Sequence, residues 1–125
     1  MIDLEDVVNI HEFLINKFGG THGLRDKNLL KSAIARPFQT FDKEDLYKSH
    51  IEKAAALIES IVTNHPFIDG NKRTGYILMR LYLMENGLDI SANQAEKFEF
   101  VIAIASGDLT FTEIVDWIYQ HKEES

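Results

Sequence analysis

The chain contains no cysteine. Disulfides and cysteine-built zinc sites are therefore excluded, and a cytosolic setting fits. Proline is scarce, with only Pro37 and Pro66 present to force a break in a helix. Long apolar runs are missing too: no stretch approaches the roughly 20 residues of a membrane span. The start, Met1 to Asp6, is acidic and lacks the basic residues and apolar run of a signal peptide. Positive charge is in deficit, with 13 Lys and Arg against 20 Asp and Glu and a net charge of −7. Direct contact with nucleic acid is not expected of such a surface, because phosphate contacts need a basic face. No internal repeat, low-complexity tract or linker divides the chain. Its 125 residues, 45% of them hydrophobic, suit one domain spanning 1–125 with a real core.

What is present is helical periodicity. Leu4, Val7, Val8, His11, Leu14, Ile15 and Phe18 recur at three- to four-residue spacing and predict a helix over 3–18, capped by Asp3 and ended by Gly19-Gly20. His11 lies on that apolar stripe as a packed or hydrogen-bonded core histidine. The glycine-rich stretch 19–25 matches neither the GxGxxG nor the Walker spacing, so it reads as a connecting loop with His22 at the surface. Asp26 caps a short helix closed by Pro37. Residues 37–46 carry no helical stripe and read as a loop or short hairpin with two exposed aromatics. A strong helix follows over 47–64, and another over 71–86 with Ile77, Leu78, Leu81 and Tyr82 inward. Gly75 inside it suggests close approach of another helix or of a ligand. Ser91 is expected to cap a helix over 92–106, with Phe98, Val101, Ile102 and Ala105 inward. Thr110 to Glu113 has the capping-box pattern of a last helix, and His121 to Ser125 reads as a frayed tail. The class is all-α, a bundle of about six helices with no strand beyond residues 37–46.

Between the two strongest helices lies His65-Pro66-Phe67-Ile68-Asp69-Gly70-Asn71-Lys72-Arg73-Thr74-Gly75. Pro66 stops the first helix, because proline disfavours the α region for the residue before it. Lys72 and Arg73 then fall in the first turn of the second helix. Cations there oppose the macrodipole by about 0.3–1 kcal/mol each. An anion relieves the conflict, since free N–H groups, the dipole, one Lys and one Arg can all point at one phosphate. Asp69 is a hard oxygen ligand of the kind Mg²⁺ accepts beside a substrate phosphate. His65 is the side chain best suited to take a proton near neutral pH. Each residue alone has a bland reading: His65 as a helix C-cap, Phe67 as a core anchor, Asp69 in an Asx turn, Asn71 as a helix cap. Together, with two cations at the wrong helix end, they point to phosphate chemistry or binding.

This order of residues resembles the loop of the Fic family, approximately His-Pro-Phe-x-[Asp/Glu]-Gly-Asn-Gly-Arg-x-x-Arg. His65, Pro66, Phe67, Asp69, Gly70, Asn71 and Arg73 match it. Lys72 stands at the second glycine and Tyr76 at the final arginine. The Asn-Lys-Arg variant in a short chain is similar to the Doc (death-on-curing) branch. The resemblance implies a compact Fic-like helical bundle. It implies His65 as catalytic base, Asp69 as the Mg²⁺ ligand, and Gly70, Asn71, Lys72 and Arg73 on the phosphates of ATP. It also implies a β-hairpin flap, Phe38, Gln39, Thr40 and Phe41, holding the target's backbone through main-chain hydrogen bonds.

Ordinary Fic proteins imply AMP transfer to a protein hydroxyl. Doc implies phosphoryl transfer to a Ser/Thr hydroxyl, with elongation factor Tu as the target, growth arrest as the outcome and a separate antitoxin chain as the restraint. Lys72 adds bulk and charge where a glycine would let the phosphates approach. Tyr76 removes a charge expected to hold distal phosphates in the AMP-transfer pose. Both departures lean toward the kinase. The inhibitory pattern [Ser/Thr]-x-x-x-Glu-[Gly/Asn] has no match, since Thr40 and Glu44 have the spacing but Asp45 follows. A non-catalytic nucleotide- or phosphate-binding module is the competing class.

Overall fold

In the computed structural model, which describes residues 2–125, six α-helices carry most of the chain. Helix α1 (Leu4–Phe18) opens on Asp3, whose side chain accepts from the Glu5 N–H, and ends at Gly19. Helix α2 (Lys27–Ala35) opens on Asp26, which accepts from the Leu29 N–H, and Pro37 turns its end into a short 3-10 segment, Arg36–Phe38. A hairpin follows, in which β1 (Thr40–Phe41) runs antiparallel to β2 (Glu44–Asp45). Its two turn residues, Asp42 and Lys43, have φ of 52° and 67°. Positive φ at both central positions is what a two-residue hairpin turn needs to match the strand twist. The segment is thus a hairpin, although Phe38 precedes it and rests edge-on against Tyr82.

Helix α3 (His50–Asn64) is the central element. Ala54, Ala55, Ala56, Leu57, Ile58, Ile61 and Val62 are all buried on it, and it packs against α2, α4 (Asn71–Glu85), α5 (Gln94–Ala105) and α6 (Phe111–His121). The three alanines bring its neighbours close. Gly75 does the same from the α4 side: a Cβ there would lie 2.9 Å from Val62 Cγ2 and 3.3 Å from Ile61 Cγ2. The glycine is there for helix packing, not for a ligand. Among the described residues no helix is long and apolar enough to cross a membrane.

Several local expectations are corrected. Residues 47–49 precede α3, whose cap is Ser49, accepting from the Glu52 N–H. Ser91 caps nothing. Its N–H donates to the His121 carbonyl, while Asn93 and Glu96 form the capping box of α5. The tail is not frayed: β4 (Lys122–Glu124) pairs antiparallel with β3 (Leu88–Ile90). His121 anchors this second sheet, bonding the Trp117 carbonyl at 2.7 Å and Glu96 at 3.1 Å. Phe18, Leu81, Phe98 and Ile102 are exposed rather than inward. On α5 the core face is Phe100, Val101 and Ile104, and Phe98 and Ile102 turn toward a cleft.

Candidate active site

The loop from His65 to Gly70 joins α3 to α4, and its backbone is unusual at both ends. His65, the C-cap of α3, has φ 49° and ψ 58°. This left-handed conformation costs a non-glycine residue on the order of 1–2 kcal/mol. Gly70, the N-cap of α4, has φ 76°, which glycine adopts without that penalty. The strain at His65 is held by a clamp from elsewhere in the chain. Arg25 Nε donates to the His65 carbonyl at 2.6 Å and Nη2 to the Asn64 carbonyl at 2.7 Å. A guanidinium at the negative end of α3 also suits its macrodipole.

Two further contacts set the middle of the loop. Asn71 Oδ1 accepts from the Phe67 N–H at 3.0 Å and its Nδ2 donates to the Phe67 carbonyl at 2.9 Å. Asn71 therefore staples the loop to the first residue of α4, and Gly70 takes the cap position. Nδ2 also lies 3.5 Å from His65 Nδ1, a contact too long to fix the imidazole tautomer. Phe67 is 1% exposed, and the His11 ring stacks on it at 3.8 Å with 5° between the planes. His11 Nε2 lies 2.7 Å from the Asp69 carbonyl, so the proton of His11 is on Nε2. The core histidine of α1 thus holds the site loop in place.

Asp69 is exposed, and both of its oxygens accept backbone N–H groups. Oδ2 accepts from Thr21 at 3.0 Å and Oδ1 from Gly70 at 2.8 Å. The Thr21 bond, then the Gly70 bond, pull its pKa below the ordinary 3.8, with the Lys72 charge adding to them. A carboxyl whose folded pKa is depressed contributes stability above its unfolded pKa and loses it as pH falls through the folded value. The Asp69 carboxyl carbon is therefore expected to titrate by NMR with a midpoint below 3.8. A midpoint at or above that value would show the two N–H bonds absent in solution.

On α4 the Thr74 N–H is bonded to the Gly70 carbonyl. The N–H groups of Asn71, Lys72 and Arg73 precede it and lie in the first turn, where helical amides have no intrahelical acceptor. Lys72 and Arg73 are exposed, and the Arg73 guanidinium lies 4.4 Å from the Phe18 ring centroid. His65, Asp69, Gly70, Asn71, Lys72 and Arg73 all line one cleft of about 890 Å³. Its walls are completed by Tyr76, Ile77 and Arg80 of α4 and by Gln94, Lys97, Phe98, Val101 and Ile102 of α5. The hairpin residues Phe38, Gln39, Thr40 and Phe41 are not among the lining residues.

A model of the Fic/DOC family matches residues 1–83. The chain belongs to the Fic/DOC family. It is 39% identical over 92 residues to "Toxin Doc" of Mycolicibacterium smegmatis, a match covering 74% of this chain and 68% of that one. It is 24% identical over 115 residues to "Protein kinase doc" of Escherichia phage P1, covering 92% and 90%. Within the Fic/DOC loop of this chain, Tyr76 occupies the place of the expected final arginine. Its ring is buried, its hydroxyl has no hydrogen-bond partner among the described residues, and burial pushes its pKa up to about 12.

The residues that a reading of the loop alone misses are His11, Thr21 and Arg25. All three act on the loop from α1 or from the segment joining α1 to α2, 40 to 58 positions away. That segment also bonds the loop through main chain: Arg25 and Asp26 N–H donate to the Pro66 carbonyl, and Ile68 N–H to Gly23. Glycines and an arginine directly after a helix were the available signal, and they identify a turn without naming what it touches.

Proposed function

We propose that this Fic/DOC chain is a protein Ser/Thr kinase of the Doc type. It would transfer the γ-phosphoryl group of ATP to a hydroxyl of a protein target and so arrest growth as a toxin. The observation that carries the reading is the placement of His65, Asp69 and the Lys72–Arg73 start of α4 on one cleft. Phosphoryl transfer needs positioning and charge stabilisation above all, and this cleft has a proton acceptor, a carboxylate and an anion-seeking helix end. The name of the phage P1 relative, a protein kinase, and that of the mycobacterial relative, a toxin, support the same reading.

In this reading His65 accepts the proton of the incoming Ser/Thr hydroxyl as its oxygen bonds to the γ-phosphorus. The bond from that phosphorus to the β-bridging oxygen breaks, and ADP leaves with the electron pair. Charge on the transferring group is met by the first-turn N–H groups of α4 and by Lys72 and Arg73, the latter able to bond in a bidentate way. Lys72 favours attack at the γ-phosphate over AMP transfer, because an ammonium there suits a terminal, more highly charged phosphate.

Asp69 fits Mg²⁺. Each of its oxygens accepts only one N–H bond, which leaves lone pairs for a cation, and the carboxyl is held ionised. Among the described residues no group of three or more His, Cys, Asp or Glu gathers, which suits an ion carried in on a nucleotide rather than one held by the protein alone. Mg²⁺ so bound would neutralise phosphate charge.

The β1–β2 hairpin is exposed along both strands. Its outer edge offers main-chain groups to an extended segment of the target, elongation factor Tu being the one the resemblance implies. Restraint would come from a separate antitoxin chain.

The test uses two labelled ATPs, one at the α- and one at the γ-phosphate, with elongation factor Tu and whole lysate as acceptors. Label from the γ position on protein is expected. Label from the α position would make the chain an AMP-transferase, and label from neither would leave a nucleotide- or phosphate-binding module.

A further inference from the structure

We propose that Lys97, on α5, is a phosphate ligand of this cleft, gripping the non-reacting phosphates of the nucleotide from a second wall. The inference rests on the nucleotide-binding reading above. The family match ends at residue 83, so α5 lies wholly outside it.

The first observation is a count of partners. Of the 13 Lys and Arg residues, nine are exposed and four are withdrawn from solvent: Arg36, Lys53, Arg80 and Lys97. Three of the four sit against carboxylates, Arg36 on Glu59 at 2.8 Å, Lys53 on Asp45 at 3.2 Å and Arg80 on Asp89 at 2.8 Å. Lys97 alone has no carboxylate at ion-pair distance among the described residues. Asp89 is near enough to feel its charge, but Arg80 occupies both oxygens of that carboxylate. Its stem is packed while its ammonium is left to the cleft, although 20 acidic residues were available to pair with it. A half-buried cation left open on the wall of a cleft is a place for an anion.

The second observation is where Lys97 points. Its Nζ lies 5.8 Å from the centroid of the Tyr76 ring, and both residues line the cleft with Lys72 and Arg73. Tyr76 is five residues along α4 from Asn71, about 7–8 Å up the helix at 1.5 Å per residue. Lys97 therefore stands further along α4 than the first-turn amides. In the proposed pose the γ-phosphate meets those amides beside His65 and the α- and β-phosphates lie toward α5. Besides Arg80, whose charge Asp89 answers, the cleft holds three cationic side chains, Lys72, Arg73 and Lys97, and one carboxylate, Asp69, in a chain of net charge −7. That local reversal of sign is what a polyphosphate would select.

A purely structural role would be the cation–π contact with Tyr76. The test separates the two with Lys97→Met, which keeps the apolar stem, and Lys97→Arg, which keeps the charge. Binding of MgATP, MgADP and adenosine is measured by calorimetry in a His65→Ala background, so that no turnover intervenes, and thermal unfolding is followed in parallel. Lys97→Met is expected to weaken MgATP and MgADP alike, by about tenfold to a hundredfold for a lost charge-assisted bond. Adenosine affinity should stay within about twofold, and Lys97→Arg should restore most of the MgATP loss. Unchanged MgATP affinity, or equal weakening of MgATP and adenosine, would overturn the role of Lys97, and a lowered melting temperature with unchanged affinity would assign the residue to packing. If the Lys97-containing protein bound no MgATP at all, the nucleotide reading itself would be overturned, and the proposal with it.

Discussion

His65→Ala is expected to lower phosphoryl transfer by about 10²–10⁴-fold, the usual contribution of a positioned general base, while MgATP affinity stays within about threefold. The separation follows from the structure. His65 is exposed and at the C-cap of α3, whereas the groups proposed to meet phosphate belong to the first turn of α4 and to Lys97 of α5. Its side chain has one long contact, 3.5 Å to Asn71 Nδ2, so the loop does not depend on it. Its backbone is held through the carbonyl by Arg25, which the substitution leaves in place. Stability should accordingly change by no more than about 1 kcal/mol, since alanine meets the same left-handed strain that His65 does. Steady-state transfer and equilibrium nucleotide binding on the same preparation check this. Turnover that survives would remove His65 from the chemistry. A joint loss of turnover and affinity in a folded protein would make it a binding residue.

Phe67→Ala is expected to destabilise the fold by about 3–5 kcal/mol, the range for a large buried aromatic. For a domain of this size that is a fall in melting temperature on the order of 10–20 °C. Phe67 is among the largest fully buried side chains. It is also the residue through which three segments fasten the loop: His11 stacks on its ring, Asn71 bonds its N–H and carbonyl, and Leu24 pairs with its backbone. Truncation leaves a cavity and frees His11 from its stacking partner. Turnover should therefore fall together with stability, although Phe67 is not among the residues lining the cleft. Thermal unfolding checks the first claim. A fall under about 3 °C would mean that the loop is held by its hydrogen bonds alone and that the aromatic stack contributes little.

Much of the architecture was legible because it is written in short-range terms. Asp3, Asp26 and Thr110 cap the helices they were expected to cap, since a cap is a bond between a side chain and an amide two or three residues on. The α3–loop–α4 unit follows from two apolar stripes broken by Pro66. Helix α5 is different. Its run Phe98 to Ala105 is apolar almost all round, so periodicity cannot say which face is core. The fold buries Phe100, Val101 and Ile104 and leaves Phe98 68% exposed beside the cleft.

The order of residues is enough to delimit the loop, to put a helix with two cations in its first turn after it, and to make the chain a helical bundle. Those facts depend on neighbours within four or five positions. How the loop is held and what faces it depend instead on the packing of distant segments. His11 reaches Asp69 across 58 positions and Arg25 reaches His65 across 40. The charged tail Lys122 to Glu124 becomes a strand because Leu88–Ile90 offers it an edge. Lys97 faces the cleft because α5 packs beside α4. Contacts between distant segments are made by packing in three dimensions, and they leave no periodic trace in the order of residues.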